Sequence, residues 1–142
     1  MLEPMEDDLV MMTDDEYGIM HVIFKERFEF NGDDARRYLQ FALKFSKGAQ
    51  KYLLLDITKI SYFDLGALKE LTSPLTEHYT KASAVIVSMS SPVVAIGASF
   101  LVNLKKEPFP IKVFTTNEEG IKWLLELMKE EKNNSQNKST VE

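Results

Sequence analysis

Leu53-Leu54-Leu55-Asp56-Ile57-Thr58-Lys59-Ile60-Ser61-Tyr62-Phe63-Asp64-Leu65-Gly66 is the stretch on which the reading of this chain turns. A continuous apolar run ending on a carboxylate suits a central strand, because a strand buried on both faces has no side that meets water. Residues 52–57 therefore read as a strand and residues 58–63 as a short loop. Asp64 then opens a helix, its carboxylate accepting from backbone N–H groups that the first turn leaves free. Strand, loop and capped helix in that order are the first half of a unit whose parallel strands are joined by right-handed crossovers.

Upstream, residues 9–13 and 19–25 are two β-forming runs separated by Asp14-Asp15-Glu16-Tyr17-Gly18, a turn composition that predicts an antiparallel hairpin. Asn31-Gly32-Asp33-Asp34 supplies a turn and capping oxygens, after which Ala35, Tyr38, Leu39, Ala42 and Phe45 recur at helical spacing as far as Gly48. Downstream, Leu65, Leu68 and Leu71 mark a second helix that Ser73-Pro74 should interrupt before residues 75–79. Residues 84–89 form another buried-strand pattern. Ser91 and Pro92 are suited to the N-cap and first position of a third helix reaching about Lys105. Ile111-Lys112-Val113-Phe114 reads as the last strand, and Thr116 with Glu119 as a capping box for a final helix striped by Ile121, Leu124, Leu125 and Met128.

The expectation is a single α/β domain over residues 9–131, in which an N-terminal β-hairpin feeds a mostly parallel sheet of about five strands with about four helices. Residues 1–8 are expected to be flexible. Residues 132–142, polar and without periodicity, are expected to be a disordered tail. At 142 residues there is room for one ordinary core.

Composition narrows the function. The net charge of −5 and scattered Lys and Arg speak against nucleic acid, whose phosphates need clustered cations. Without cysteine there is no disulfide framework, thiolate nucleophile or Cys-ligated zinc, and a cytoplasmic location fits. Glu3, Glu6, Asp7 and Asp8 stand where a signal peptide would be basic and then apolar. The nearly uncharged stretch 82–104 is divided by Ser91-Pro92 and does not read as a membrane span.

The order of elements, with the segment from Leu53 to Gly66, resembles the STAS family, the fold of anti-sigma factor antagonists and sulfate-transporter C-terminal domains. The chain is more closely similar to small bacterial STAS-like proteins, over roughly residues 9–125. The most recognisable part is Pro108-Phe109-Pro110-Ile111-Lys112-Val113-Phe114 through Glu118-Glu119 to Trp123-Leu124. In regulatory STAS domains an Asp-Ser-Ser-Gly-like turn carries a serine whose phosphorylation controls partner binding. Here the turn is Asp64-Leu65-Gly66, and neither way of aligning it leaves a hydroxyl. Asp64 reads either as a mimic of a permanently phosphorylated serine or simply as a helix cap.

No paired acid and base, nucleophile with partner, glycine-rich phosphate cradle or metal-ligand spacing is visible, so no catalytic residue, metal or cofactor is assigned and an enzyme is not expected. His21 reads as a half-exposed strand residue and His78 as a helix-end partner. The loops at the carboxyl ends of parallel strands gather on one edge, which makes Asp56, Ser61, Asp64, Gly66, Ser90 and Ser91 the candidate functional edge. The third helix carries more apolar surface than one sheet face needs, and Val94, Ala98, Phe100, Leu101 and Val102 form a candidate interface. These features predict a non-enzymatic interaction module that binds itself as a homodimer or another protein. The alternative is a carrier of a small apolar, acyl-like ligand, which the related fold of lipid-transfer domains suggests.

Overall fold

The computed structural model describes residues 3–71, 73–88 and 109–141, with side chains to residue 135. Its elements run β1 (Met5–Glu6), β2 (Val10–Asp14), β3 (Ile19–Phe24), β4 (Arg27–Phe30) and α1 (Gly32–Ser46). They continue with β5 (Lys51–Asp56), β6 (Ile60–Phe63), α2 (Leu65–Leu71), a 3₁₀ turn (Pro74–His78), β7 (Thr80–Ile86), β8 (Ile111–Phe114) and α3 (Asn117–Val141).

Six strands form one sheet in the order β1-β2-β3-β5-β7-β8. The β1–β2 and β2–β3 pairs are antiparallel, and the β3–β5, β5–β7 and β7–β8 pairs are parallel. The fold is therefore the expected hairpin feeding a parallel sheet, with one strand more than expected. Three α-helices and the 3₁₀ turn lie among the described residues. The third helix expected from the sequence lies outside them, together with Ser90, Ser91 and the candidate interface residues Val94, Ala98, Phe100, Leu101 and Val102.

Alternation along the strands builds two cores. Leu53, Leu55, Val85 and Val87 face α1 and α2, where they meet Tyr38, Leu39, Ala42, Phe45, Ala67 and Leu68. Tyr52, Leu54, Ala82, Ala84 and Ile86 point the other way and are covered by Leu124 with its neighbours on α3. This is why residues 52–55 are apolar without interruption: both sheet faces are roofed.

Local chemistry sets the element boundaries. Asn31 caps α1 through a capping box, its side chain accepting from the Asp34 N–H while Asp34 Oδ2 accepts from the Asn31 N–H. Helix α1 ends with Lys47 and Gly48 both at positive φ, 54° and 79°, the second a conformation that glycine reaches without strain. Ser73 caps the 3₁₀ turn and Pro74 opens it, so the break predicted there is present.

Three local features differ from the sequence reading. Residues 60–63 form a strand, because β6 pairs in parallel with β4 (Arg27↔Ile60, Glu29↔Tyr62, Phe30↔Phe63) in a separate two-stranded ribbon. Ahead of residue 9, Met5 and Glu6 pair with Met12 and Met11, while Asp7 Oδ1 accepts from the Leu9 and Val10 N–H groups. Arg37 adds ion pairs to Asp7 and Asp8 and holds the Asp8 carboxyl below the usual carboxylate range through its hydrogen bond. Finally, α3 continues to Val141 through the polar stretch 132–141, which contains no glycine or proline to stop it.

A carboxyl edge extended by a two-stranded ribbon

Asp56, Ile86 and Phe114 are aligned across β5, β7 and β8, so these parallel strands end together. The next residues hold the ends in place: the Ile57 N–H donates to Ile86 O (3.1 Å) and the Val87 N–H to Phe114 O (2.9 Å). Strands β3 and β5 do not simply stop at this edge. After short links each continues into a strand of the ribbon, and the Arg27 N–H donates to Lys59 O (3.0 Å) where β4 begins. The ribbon carries the chain past the edge and delivers it to the starts of α1 and α2.

Of the predicted residues of this edge that are described, Asp56, Asp64 and Gly66 have definite local roles. Asp56 Oδ1 accepts from the Thr58 N–H (2.9 Å) and the Thr58 hydroxyl (2.6 Å), shaping the exit from β5. Asp64 Oδ1 accepts from the Ala67 N–H (2.7 Å), and Asp64 O from the Leu68 N–H (3.1 Å), so Asp64 caps α2. Gly66 lies against Gly32, where a Cβ added to either would sit 3.5–3.6 Å from the other's backbone, so the starts of the two helices touch. Ser61 is exposed on β6. The two carboxylates are thus each engaged within their own turns.

Around these groups the helix starts are tied by charge. Arg27 grips Asp34 with two donors, Nε to Oδ2 at 3.1 Å and Nη2 to Oδ1 at 2.8 Å, linking β4 to the first turn of α1. Arg36 pairs with Asp33 and with Glu70 of α2, an arrangement that holds its guanidinium firmly protonated through the Asp33 hydrogen bond.

The sequence reading missed the most exposed apolar side chains of this region. Phe28 and Leu65 are each 79% exposed and Tyr62 43% exposed, three of the five large hydrophobic residues that face solvent among the described residues. Leu65 was expected to join Leu68 in the core stripe of α2. It stands instead at the first helical position, before the helix has turned its buried face to the sheet. Phe28 gives a partial signal in the sequence, because Glu26 and Glu29 flank it and charge on both sides is unusual for a core strand. Elsewhere, His21 Nε2 is 2.7 Å from Asp15 Oδ2, beside the turn that Asp15 itself organises.

The six-stranded sheet, its crossovers and the helix capped beside the edge define a SpoIIAA-like, that is STAS-like, domain. The chain is similar to the crystal structure of an uncharacterised protein of the DUF3478 family, with a SpoIIAA-like fold, from Shewanella loihica. The two share 19% sequence identity over 84% of this chain and 98% of that one, with a TM-score of 0.53. No curated protein matches the chain. By sequence it belongs to the family of domains of unknown function DUF7793, whose model matches residues 12–128. Among the described residues no helix is long and apolar enough to cross a membrane.

Proposed function

We propose that this chain is a non-enzymatic, protein-binding module that recognises its partner through the β4–β6 ribbon and the start of α2. The observation that carries the reading is the exposure of Phe28 on β4 and of Leu65 just after β6; Tyr62, opposite Glu29 in the register, is exposed on the other face of the ribbon. Apolar side chains held on a charged, ordered frame supply the anchors of a protein interface, where most of the binding energy comes from a few such residues. Exposed Glu26, Glu29 and Asp33 lie among them, so the complementary partner surface is apolar with basic residues at its rim. Aligned on Gly66, Asp64 and Leu65 fall on the two serine positions of regulatory STAS turns, and Asp64 then presents a fixed carboxylate there; aligned on Asp64, Leu65 takes the place of the serine. In this reading the module has no serine switch at that turn and stays in one binding state.

The test is site-specific crosslinking in the native host, with a photoreactive residue placed at Phe28, Leu65 or, as control, Leu75. Leu75 is also exposed but belongs to the 3₁₀ turn at the opposite, amino end of the parallel strands. A single adduct from positions 28 and 65 and none from 75 is expected. Equal labelling from all three, or none from the ribbon, removes the proposal.

The sequence pattern of Val94, Ala98, Phe100, Leu101 and Val102 supports a second role, self-association into a homodimer in the cytoplasm, which native mass spectrometry of the intact chain reads directly. The carrier alternative finds less support. The apolar cavity beneath α1 measures about 50 Å³, about a third of the roughly 150 Å³ that accommodates a benzene ring.

A further inference from the structure

Helix α3 packs on β5, β7 and β8 through Gly120, Leu124 and their neighbours, and among the described residues no other helix shares its side of the sheet. Thr13 and His21, aligned with Leu54 across β2, β3 and β5, lie on that side and are half-buried, so the sheet continues past the helix. On the flank left open, Glu118, Ile121, Lys122, Leu125, Glu126 and Lys129 line a groove with Tyr17 of the β2–β3 turn. These positions follow the helical repeat and form one continuous stripe about three turns long. Ile121 and Leu125 are half-buried, Tyr17 is 51% exposed, and the four charged residues are exposed. None of the four forms an ion pair with a described residue.

The order of the charges selects a partner. Along the stripe the signs run acid, base, acid, base, so a copy laid in the opposite direction runs base, acid, base, acid. A two-fold axis crossing α3 at residues 123–124 sets Glu118 of one copy against Lys129 of the other and Lys122 against Glu126, with Ile121 against Leu125 between them. Two-fold symmetry repeats every contact, which surrounds a small apolar centre with opposite charges. A parallel pair in register would instead set like against like, and charges flanking a helix seam fix orientation in this way.

We propose that the partner of this flank is a second copy of the chain, docked α3 against α3 in the antiparallel sense. The surface is separate from the β4–β6 ribbon and from residues 94–102. Because exposed ion pairs are screened, the dimer weakens as salt is added.

The test is native mass spectrometry and sedimentation of the full chain and of two charge-reversed variants, Lys122→Glu with Lys129→Glu and Glu118→Lys with Glu126→Lys. The wild type should dimerise. Each variant alone should do so at least about tenfold more weakly, because like charges then face each other. An equal mixture, with one variant ¹⁵N-labelled to separate the masses, should restore a mixed dimer. Circular dichroism checks that both variants fold; if one does not, the loss in the other and the salt dependence of the wild type decide. A monomeric wild type overturns the proposal, as does a mixture that stays monomeric. A dimer that persists unchanged in both variants also overturns it and moves self-association to another face, such as residues 94–102.

Discussion

Asp64 separates two physical roles that one carboxylate can play. As a cap it needs only an oxygen accepting from the Ala67 N–H; as a stand-in for a phosphate it needs its charge. Asp64→Asn keeps the acceptor and should leave urea stability within about 0.5 kcal/mol, whereas Asp64→Ala should cost about 1 kcal/mol. If partner binding in the crosslinking assay survives Asp64→Asn, the charge has no part in recognition. The buried phenols make a second prediction. Burial pushes Tyr38 up to about 12, and it pushes Tyr79 well above the ordinary value of 10.0. Both folded values lie above the unfolded one, so this stabilisation is complete below pH 10 and is lost as pH rises from there toward 12. For Tyr38 alone the shift corresponds to about 3 kcal/mol. Circular dichroism and tyrosinate absorbance against pH should show cooperative alkaline unfolding in that window, moved upward in Tyr38→Phe. A phenol that ionises gradually, with the fold intact, contradicts the buried placement.

Among the elements, α3 depends on a close approach to the sheet at Gly120. A Cβ there would lie 2.8 Å from Leu54 Cδ1, 2.9 Å from Ile86 Cδ1 and 3.4 Å from Ala84 Cβ. Gly120→Ala gains helix propensity of about 1 kcal/mol and asks only that the ends of two flexible side chains move, so it should be near neutral. Gly120→Val adds a branched side chain to the same space and should cost about 2 kcal/mol in urea denaturation. Equal stability of the two variants would place α3 farther from the sheet. At the other end of α3, Glu131 Oε1 pairs with Lys81 Nζ at 3.1 Å, and Glu131 Oε2 accepts from the Tyr52 hydroxyl. Residues 131–135 are otherwise exposed. We propose that the stable unit ends near residue 131. A chain ending there should melt within a few degrees of the full one, and truncation before Glu131 should cost more.

For the whole molecule, the ribbon turns a buried sheet into a platform. Strand β5 is enclosed through residues 52–55 and β3 is buried on one face, yet their continuations β4 and β6 project past the roofed sheet, and Phe28 and Leu65 gain exposure there. The double variant Phe28→Ser with Leu65→Ser removes apolar surface that the fold does not bury, so the midpoint of unfolding should change by less than about 0.5 kcal/mol while the crosslinked complex disappears. A large loss of stability would mean that these residues are covered in the working protein by something that holds the fold together.

The strands β5 and β8, the hairpin, the capped starts of α1, α2 and α3 and the break at Pro74 were all legible in the sequence. Each is set by a local rule: apolar runs, turn residues, capping oxygens or a missing N–H. The resemblance to the STAS fold rested on their order together with the segment from Leu53 to Gly66. Tertiary structure alone decided that residues 60–63 pair with β4, because a short parallel pairing depends on where the two chains leave the sheet. It alone exposed Leu65, since the same leucine is core or surface according to how far the helix has turned. And it alone placed Tyr38 and Tyr79, 41 positions apart in the chain, edge to face beside one cavity, because only packing brings such distant side chains together.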